Sequence, residues 1–233
     1  MERIEDHVIF EDQKAFAEHL KRRTEKFEDL ADQIRNRTEL EDASRVFPNV
    51  LRCIARQLRI LGASSSLPIE AAAAACRTVF EVYVRTKLMT EKPELIRSFW
   101  VERVFEEISL LDAFKRLADN ETQASALAPI NSRVEEIKNY IKKWNLAKPT
   151  TESTFKFAEA AGMSEEYKAL YGFYSKYTHG SAWLVNTQDS ERDGEGYRTI
   201  FSVQTQLYAE ATLESIQRYV AERSKTASPD ARS

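Results

Sequence analysis

Apolar residues recur along most of this chain at steps of three and four, and no segment carries a convincing period of two, so the pattern predicts helices and no strands. Between residues 10 and 36, Phe16, Leu20, Phe27, Leu30, Ala31 and Ile34 make one stripe without an intervening glycine or proline. That spacing predicts a long amphipathic helix. The stripe is thin and bordered by charge, which suits packing against one neighbour, a partner protein or a second subunit better than burial in a core.

A second helix is expected from about Phe47 to Leu61, with Pro48 in its first turn, where the missing N–H has no intrahelical acceptor to lose. Its core face is Val50, Ile54, Leu58 and Leu61. The stretch "ASSSLP" then offers serine caps for a third helix, "IEAAAAACRTVFEVYVRTKLM". There Ile69, Ala73, Cys76, Phe80 and Tyr83 share a face, and the alanines permit close approach of a neighbour, so this is expected to be the central helix.

Two further helices are predicted over 94–118 and 131–145, the second capped by Asn131 or Ser132. Ser164 is expected to cap "EEYKALYGFYSKYT", with Gly180 as the left-handed residue closing that helix. Residues 186–196 read as a polar loop and residues 197–223 as a last long helix. The expectation is an all-α bundle of about six to eight helices. Residues 1–44 would form an N-terminal helical extension, 45–223 the bundle domain and 224–233 a disordered tail.

Composition sharpens this only modestly. Among 233 residues, 42% are hydrophobic and 30% charged, with six glycines and six prolines, as suits a helical globular protein. The net charge of -3 gives no global attraction to nucleic acid or anionic lipid, so any such binding must come from local patches. Cys53 and Cys76 are too few for a disulfide framework and read as buried free thiols. No stretch reaches the ~20 apolar residues that cross a bilayer, and "MERIEDHVIFED" is acidic where a signal peptide is basic and then apolar, so a cytoplasmic protein without membrane contact is expected.

Three constellations could carry chemistry. In "YGFYSKYTHGSAWLV", positions 172, 175 and 179 lie on one stripe, because steps of three and four each advance close to one turn, so Ser175 and His179 are expected to face the same way. Tyr167, Tyr171, Tyr174 and Tyr177 crowd the same helix and would wall such a site, with Tyr171 and Tyr174 expected to bind substrate through their hydroxyls, and Lys176 stands beside it. His179 could serve as general acid or base, or could simply cap the helix end, where the dipole favours it.

On the central helix, Arg77 and Glu81 are one turn apart, with Arg85 a turn further. Arg77 could hold an anion while Glu81 orients His179 and sets its tautomer, or the group could be an ion-pair network that fixes helix register. Arg52, Arg56 and Arg59 form a third stripe, suited to a phosphate backbone or to pairing with Glu28, Asp29 and Asp32. His7 and His19 are expected to be exposed, with no ligand spacing for a metal. Phosphate-loop, dinucleotide-glycine, H-E-x-x-H and G-x-S-x-G motifs are absent, and no cofactor is expected.

The segments "CRTVFEVYVR" and "YGFYSKYTHGSA" together resemble an uncharacterised bacterial all-helical family with an R-x-x-x-E helix and a later Y-x-x-x-S-x-x-x-H element. The matching positions are Arg77 and Glu81, then Tyr171, Ser175 and His179, within residues 45–220. More distantly the chain resembles the HEPN group. That resemblance implies a metal-independent ribonuclease or RNA-binding protein of a toxin or antiviral defence system, acting as a homodimer, with His179 as acid or base. The group's Arg-x(4 to 6)-His motif would place arginine at 172, 173 or 174, which here are Gly172, Phe173 and Tyr174. Arg77 or Lys176 would then have to supply the cation in space. The competing expectation is a non-catalytic helical interaction module in which Arg77, Glu81 and His179 form a structural network.

Overall fold

A computed structural model describes residues 13–63, 66–118, 124–150 and 152–227, and every regular element among them is helical. Two compact units emerge. The first holds α1 (Gln13–Arg35), α2 (Ala43–Gly62), α3 (Ile69–Glu91) and, after an insertion, α6 (Thr154–Ala160), α7 (Ser164–Thr178), α8 (Ala182–Asn186), α9 (Asp189–Arg192) and α10 (Glu195–Ala227). The inserted unit, Glu94–Glu152, holds α4 (Glu94–Leu117) and α5 (Ala124–Lys143).

In the first unit α3 packs against α2, α6, α7 and α10. Its alanines explain why: Ala72, Ala73 and Ala75 are buried and keep no bulk between backbones, while Phe80, Val84 and Leu88 fill the space further along. α1 lies along α2 and buries Leu20, Phe27, Ala31 and Ile34. The segment expected as an extension therefore contributes to the core of this unit. His19, expected to be exposed, is buried there too, whereas His7 lies outside the described residues.

The second unit is a pair of helices around Val101, Val104, Ile137 and Leu146. Trp100 meets Tyr140, and Glu107 meets Arg133, so α4 and α5 run antiparallel.

Several boundaries differ from the sequence reading. α2 begins at Ala43 and α5 at Ala124, so Pro48 and Pro129 stand inside their helices, beyond the first turn. For α2, burial of Ala43, Val46, Phe47 and Pro48 offsets the backbone bond that proline forfeits. Met163 precedes α7 without a side-chain cap, so Ser164 is its first residue and not its cap. Pro68 precedes α3, likewise without a serine cap. The loop after α5 contains α6, capped by Ser153 through the N–H of Lys156. Gly180 does not take the left-handed conformation, which falls instead to Gly162, just past α6, at φ 70°. Residues 224–227, expected in the tail, continue α10, and the rest of that tail lies outside the described residues. Cys76 is a buried free thiol, but Cys53 is only half-buried.

Candidate functional site

The site lies where the middle of α3 meets the end of α7. Arg77 is its centre. Its Nε donates to Glu81 Oε1 at 3.0 Å, one turn along the same helix. Its Nη2 donates to the Tyr171 hydroxyl at 2.6 Å, and its Nη1 donates to Thr178 Oγ1 at 3.0 Å. The same Nη1 lies 3.0 Å from His179 Nε2. A guanidinium has no acceptor, so Nε2 must be the acceptor and the neutral ring then carries its proton on Nδ1.

His179 reaches this place because α7 stops one residue earlier. It is the C-terminal cap, in extended conformation (φ −122°, ψ 152°), and its own N–H still bonds to the Ser175 carbonyl at 3.3 Å. The chain then turns at once into α8, with Ser181 capping that helix by accepting from Leu184 N–H. Leaving the helix swings the imidazole off the stripe that an unbroken helix would have given it.

Aromatic rings support the cation. Arg77 Cζ stands 4.4 Å from the centroid of the Tyr171 ring, which stacks on Tyr167 at 4.6 Å and 16°. Burial, and then the neighbouring Tyr171 hydroxyl, pushes the Tyr167 phenol up to about 12. Thr178 is doubly engaged, since its hydroxyl accepts from Arg77 and donates to the Tyr174 carbonyl at 3.1 Å. The cluster is open on one side: the side chains of Arg77 and Glu81 are 19% and 31% exposed, and His179 is exposed.

Arg77, Glu81, Tyr171 and His179 are thus brought together, with corrections to their expected roles. Glu81 pairs with Arg77 and not with His179, so the arginine is what orients the imidazole. Ser175 does not meet His179; its buried hydroxyl finds no partner among the described residues. Lys176 is exposed and no ion pair among the described residues joins it to the cluster. Tyr174 is wholly buried, its hydroxyl donating to Gln204 Oε1 at 2.7 Å, and burial raises its phenol far above the ordinary range. It belongs to the core and cannot touch a substrate. Cys76 shares that Gln204 oxygen at 3.9 Å.

The arginine stripe of α2 lies elsewhere. Arg52 pairs with Asp32 and Arg59 with Glu28, both on α1, while Arg56 is exposed. Thr178 is the member that the motif reading missed. Its signal was its spacing, seven residues after Tyr171 and therefore on the same helical stripe. Among the described residues no group of three His, Cys, Asp or Glu side chains is placed to hold a metal ion, and no helix is long and apolar enough to cross a membrane.

A family model described as a family of unknown function, DUF5677, matches residues 50–195, more than half of the chain, and spans Arg77, Glu81, Tyr171, Thr178 and His179. No curated protein and no solved structure matches significantly.

Proposed function

The chain belongs to DUF5677, a family of unknown function, and we propose that it is a HEPN-like protein that binds RNA and cleaves it at a site centred on His179. The observation that carries this reading is the 3.0 Å approach of Arg77 Nη1 to His179 Nε2. In this reading Arg77, on another helix, stands in for the arginine absent from the local Arg-x(4 to 6)-His spacing, beside an exposed histidine.

The reaction is transfer of a phosphodiester to the neighbouring ribose hydroxyl. A substrate phosphate oxygen takes over the Nη1 hydrogen bond, which releases Nε2. The freed nitrogen removes the proton of the 2′-hydroxyl as its oxygen attacks phosphorus. The bond from phosphorus to the 5′-oxygen breaks, and the imidazolium returns that proton to the leaving oxygen. The products are a 2′,3′-cyclic phosphate and a 5′-hydroxyl. Arg77 stabilises the charge developing on the non-bridging oxygens, while Glu81 and Tyr171 hold the guanidinium in place. Arg56, exposed on α2, is available for the RNA backbone, unlike Arg52 and Arg59. In this reading the protein works as a homodimer in a toxin or antiviral defence setting, as the HEPN resemblance implies.

The test is RNA cleavage by the purified full chain and growth arrest on its expression. His179→Ala should lower cleavage by about 100-fold or more, and Arg77→Lys should lower it while preserving the fold. Equal cleavage or equal growth arrest by folded His179→Ala sinks the proposal.

A second reading rests on the saturation of Arg77, which has partners on α3, on α7 and at the end of α7. Here the cluster is a pin that fixes the register of two helices in an interaction module. It is favoured if Arg77→Lys loses stability and His179→Ala loses neither stability nor any measured activity.

A further inference from the structure

In the inserted unit, α4 and α5 line their shared face with residues at matching intervals. Trp100, Arg103, Val104 and Glu107 follow steps of three, one and three on α4. Arg133, Glu136, Ile137 and Tyr140 repeat those steps on α5. Each set therefore forms one helical stripe, and together they line a cavity of about 400 Å³.

Because the helices are antiparallel, the two ends of the cavity differ in chemistry. At one end Trp100 and Tyr140 meet edge to face, ring centroids 6.0 Å apart. At the other, Arg133 Nε donates to Glu107 at 2.7 Å and its Nη1 donates to Glu136 at 3.0 Å. Buried Val104 and Ile137 lie between as an apolar floor. The arginines are not consumed by these pairs. Arg103 is 66% exposed with one long contact of 3.5 Å to Glu107, and Arg133 is 47% exposed with Nη2 outside both of its ion pairs.

Two arginines and two glutamates cancel in charge, so binding here must rest on ring contact and on the directed outer N–H groups of the arginines more than on net charge. Its combination of aromatic wall, apolar floor and a fork of donors and acceptors matches a planar heterocycle that carries both kinds of hydrogen-bonding group and is attached to a phosphate. The volume lies in the range of small-ligand sites. We propose that the α4–α5 groove holds one unstacked nucleotide of single-stranded RNA, its base against Trp100 and Tyr140 and its phosphate on the outer N–H groups of Arg103 and Arg133. The polymer as source rests on the RNA reading above; the nucleotide chemistry rests on the groove alone.

The test uses the full chain and two probes: a short oligoadenylate with every 2′-hydroxyl methylated, which cannot be cleaved by 2′-attack, and AMP. Binding is read by anisotropy of the labelled oligonucleotide and by tryptophan fluorescence, with helicity confirmed by circular dichroism. Trp100→Leu and Arg103→Gln should each weaken oligonucleotide binding by about tenfold, and AMP should compete. Arg103→Gln removes an exposed side chain and keeps the test valid if Trp100→Leu disturbs the helix pair. Oligonucleotide binding unchanged in both folded variants overturns the groove while leaving the RNA reading standing. Failure to bind the oligonucleotide, with AMP binding that is lost in Arg103→Gln, overturns the polymer as occupant but keeps a nucleotide site. Failure to bind either probe overturns the proposal entirely, whatever His179→Ala does to cleavage.

Discussion

Arg77 and His179 are separated by 102 positions in the chain and by 3.0 Å between Nη1 and Nε2. The contact joins a cation that cannot accept a hydrogen bond to a ring nitrogen that must therefore accept one. It also makes the imidazole's orientation depend on α3, a helix to which His179 does not belong.

The tautomer of His179 should report this dependence directly. Long-range proton–nitrogen NMR of the full chain is expected to show the proton at Nδ1. Arg77→Met should release that preference, and Ser175→Ala should leave it intact, since the Ser175 hydroxyl is not in the cluster. An unchanged tautomer in Arg77→Met would contradict the geometry.

Stability should separate the members of the cluster. Arg77→Ala takes the guanidinium from the Tyr171 hydroxyl and leaves the Glu81 carboxylate without its cation in a half-buried place, while Thr178 keeps its bond to the Tyr174 carbonyl, an expected loss of about 1–3 kcal/mol in denaturant unfolding. Glu81→Gln should cost under ~1 kcal/mol, because a partly exposed ion pair is screened by water. His179→Ala, at an exposed position, should stay within about 0.5 kcal/mol. A loss above ~4 kcal/mol for Arg77→Ala would instead indicate a fully buried charge network.

Cys76 predicts an alkaline weakness. Burial raises its thiol from 9.0 to about 11. The folded protein therefore retains a proton that the unfolded chain loses above pH 9, and stability falls as pH rises from about 9 until the folded thiol also ionises near 11. Below 9 the contribution is fully present. Urea titrations across that window should show a shallower decline for Cys76→Ala than for the parent chain. Aryl disulfide reagents should label half-buried Cys53 in the native state and Cys76 only on unfolding.

The N-terminal helix should prove integral to its unit. Phe27 is 1% exposed on α1, so Phe27→Ala should cost about 3–5 kcal/mol, measured by chemical unfolding. Arg56→Ala, on the exposed side of α2, should change stability by no more than about 0.5 kcal/mol. A neutral Phe27→Ala would contradict the place of this side chain in the core of the first unit.

Where the sequence reading succeeded and where it strayed follow from the reach of local rules. Periodicity found α3 and the helical character of the whole, because a 3.6-residue repeat of apolar side chains needs no knowledge of its partner. Proline misplaced the start of α2, since tertiary burial of Ala43, Val46 and Phe47 extends that helix through a residue that local propensity treats as a boundary. Tyr174 looked like a ligand-facing tyrosine because its neighbours are tyrosines; its burial was invisible until α10 brought Gln204 to its hydroxyl.

The pairing of Arg77 with Glu81 was determined by the sequence alone, because residues four apart on one helix are neighbours wherever that helix packs. So was the proximity of Tyr171 and Thr178, two turns apart on α7. That α3 meets the end of α7, that α7 stops at Thr178, and that an extended His179 then turns its Nε2 onto Arg77 were decided by the tertiary structure. Local spacing sets which side chains share a stripe, whereas burial of apolar surface sets which stripes face each other and where a helix ends.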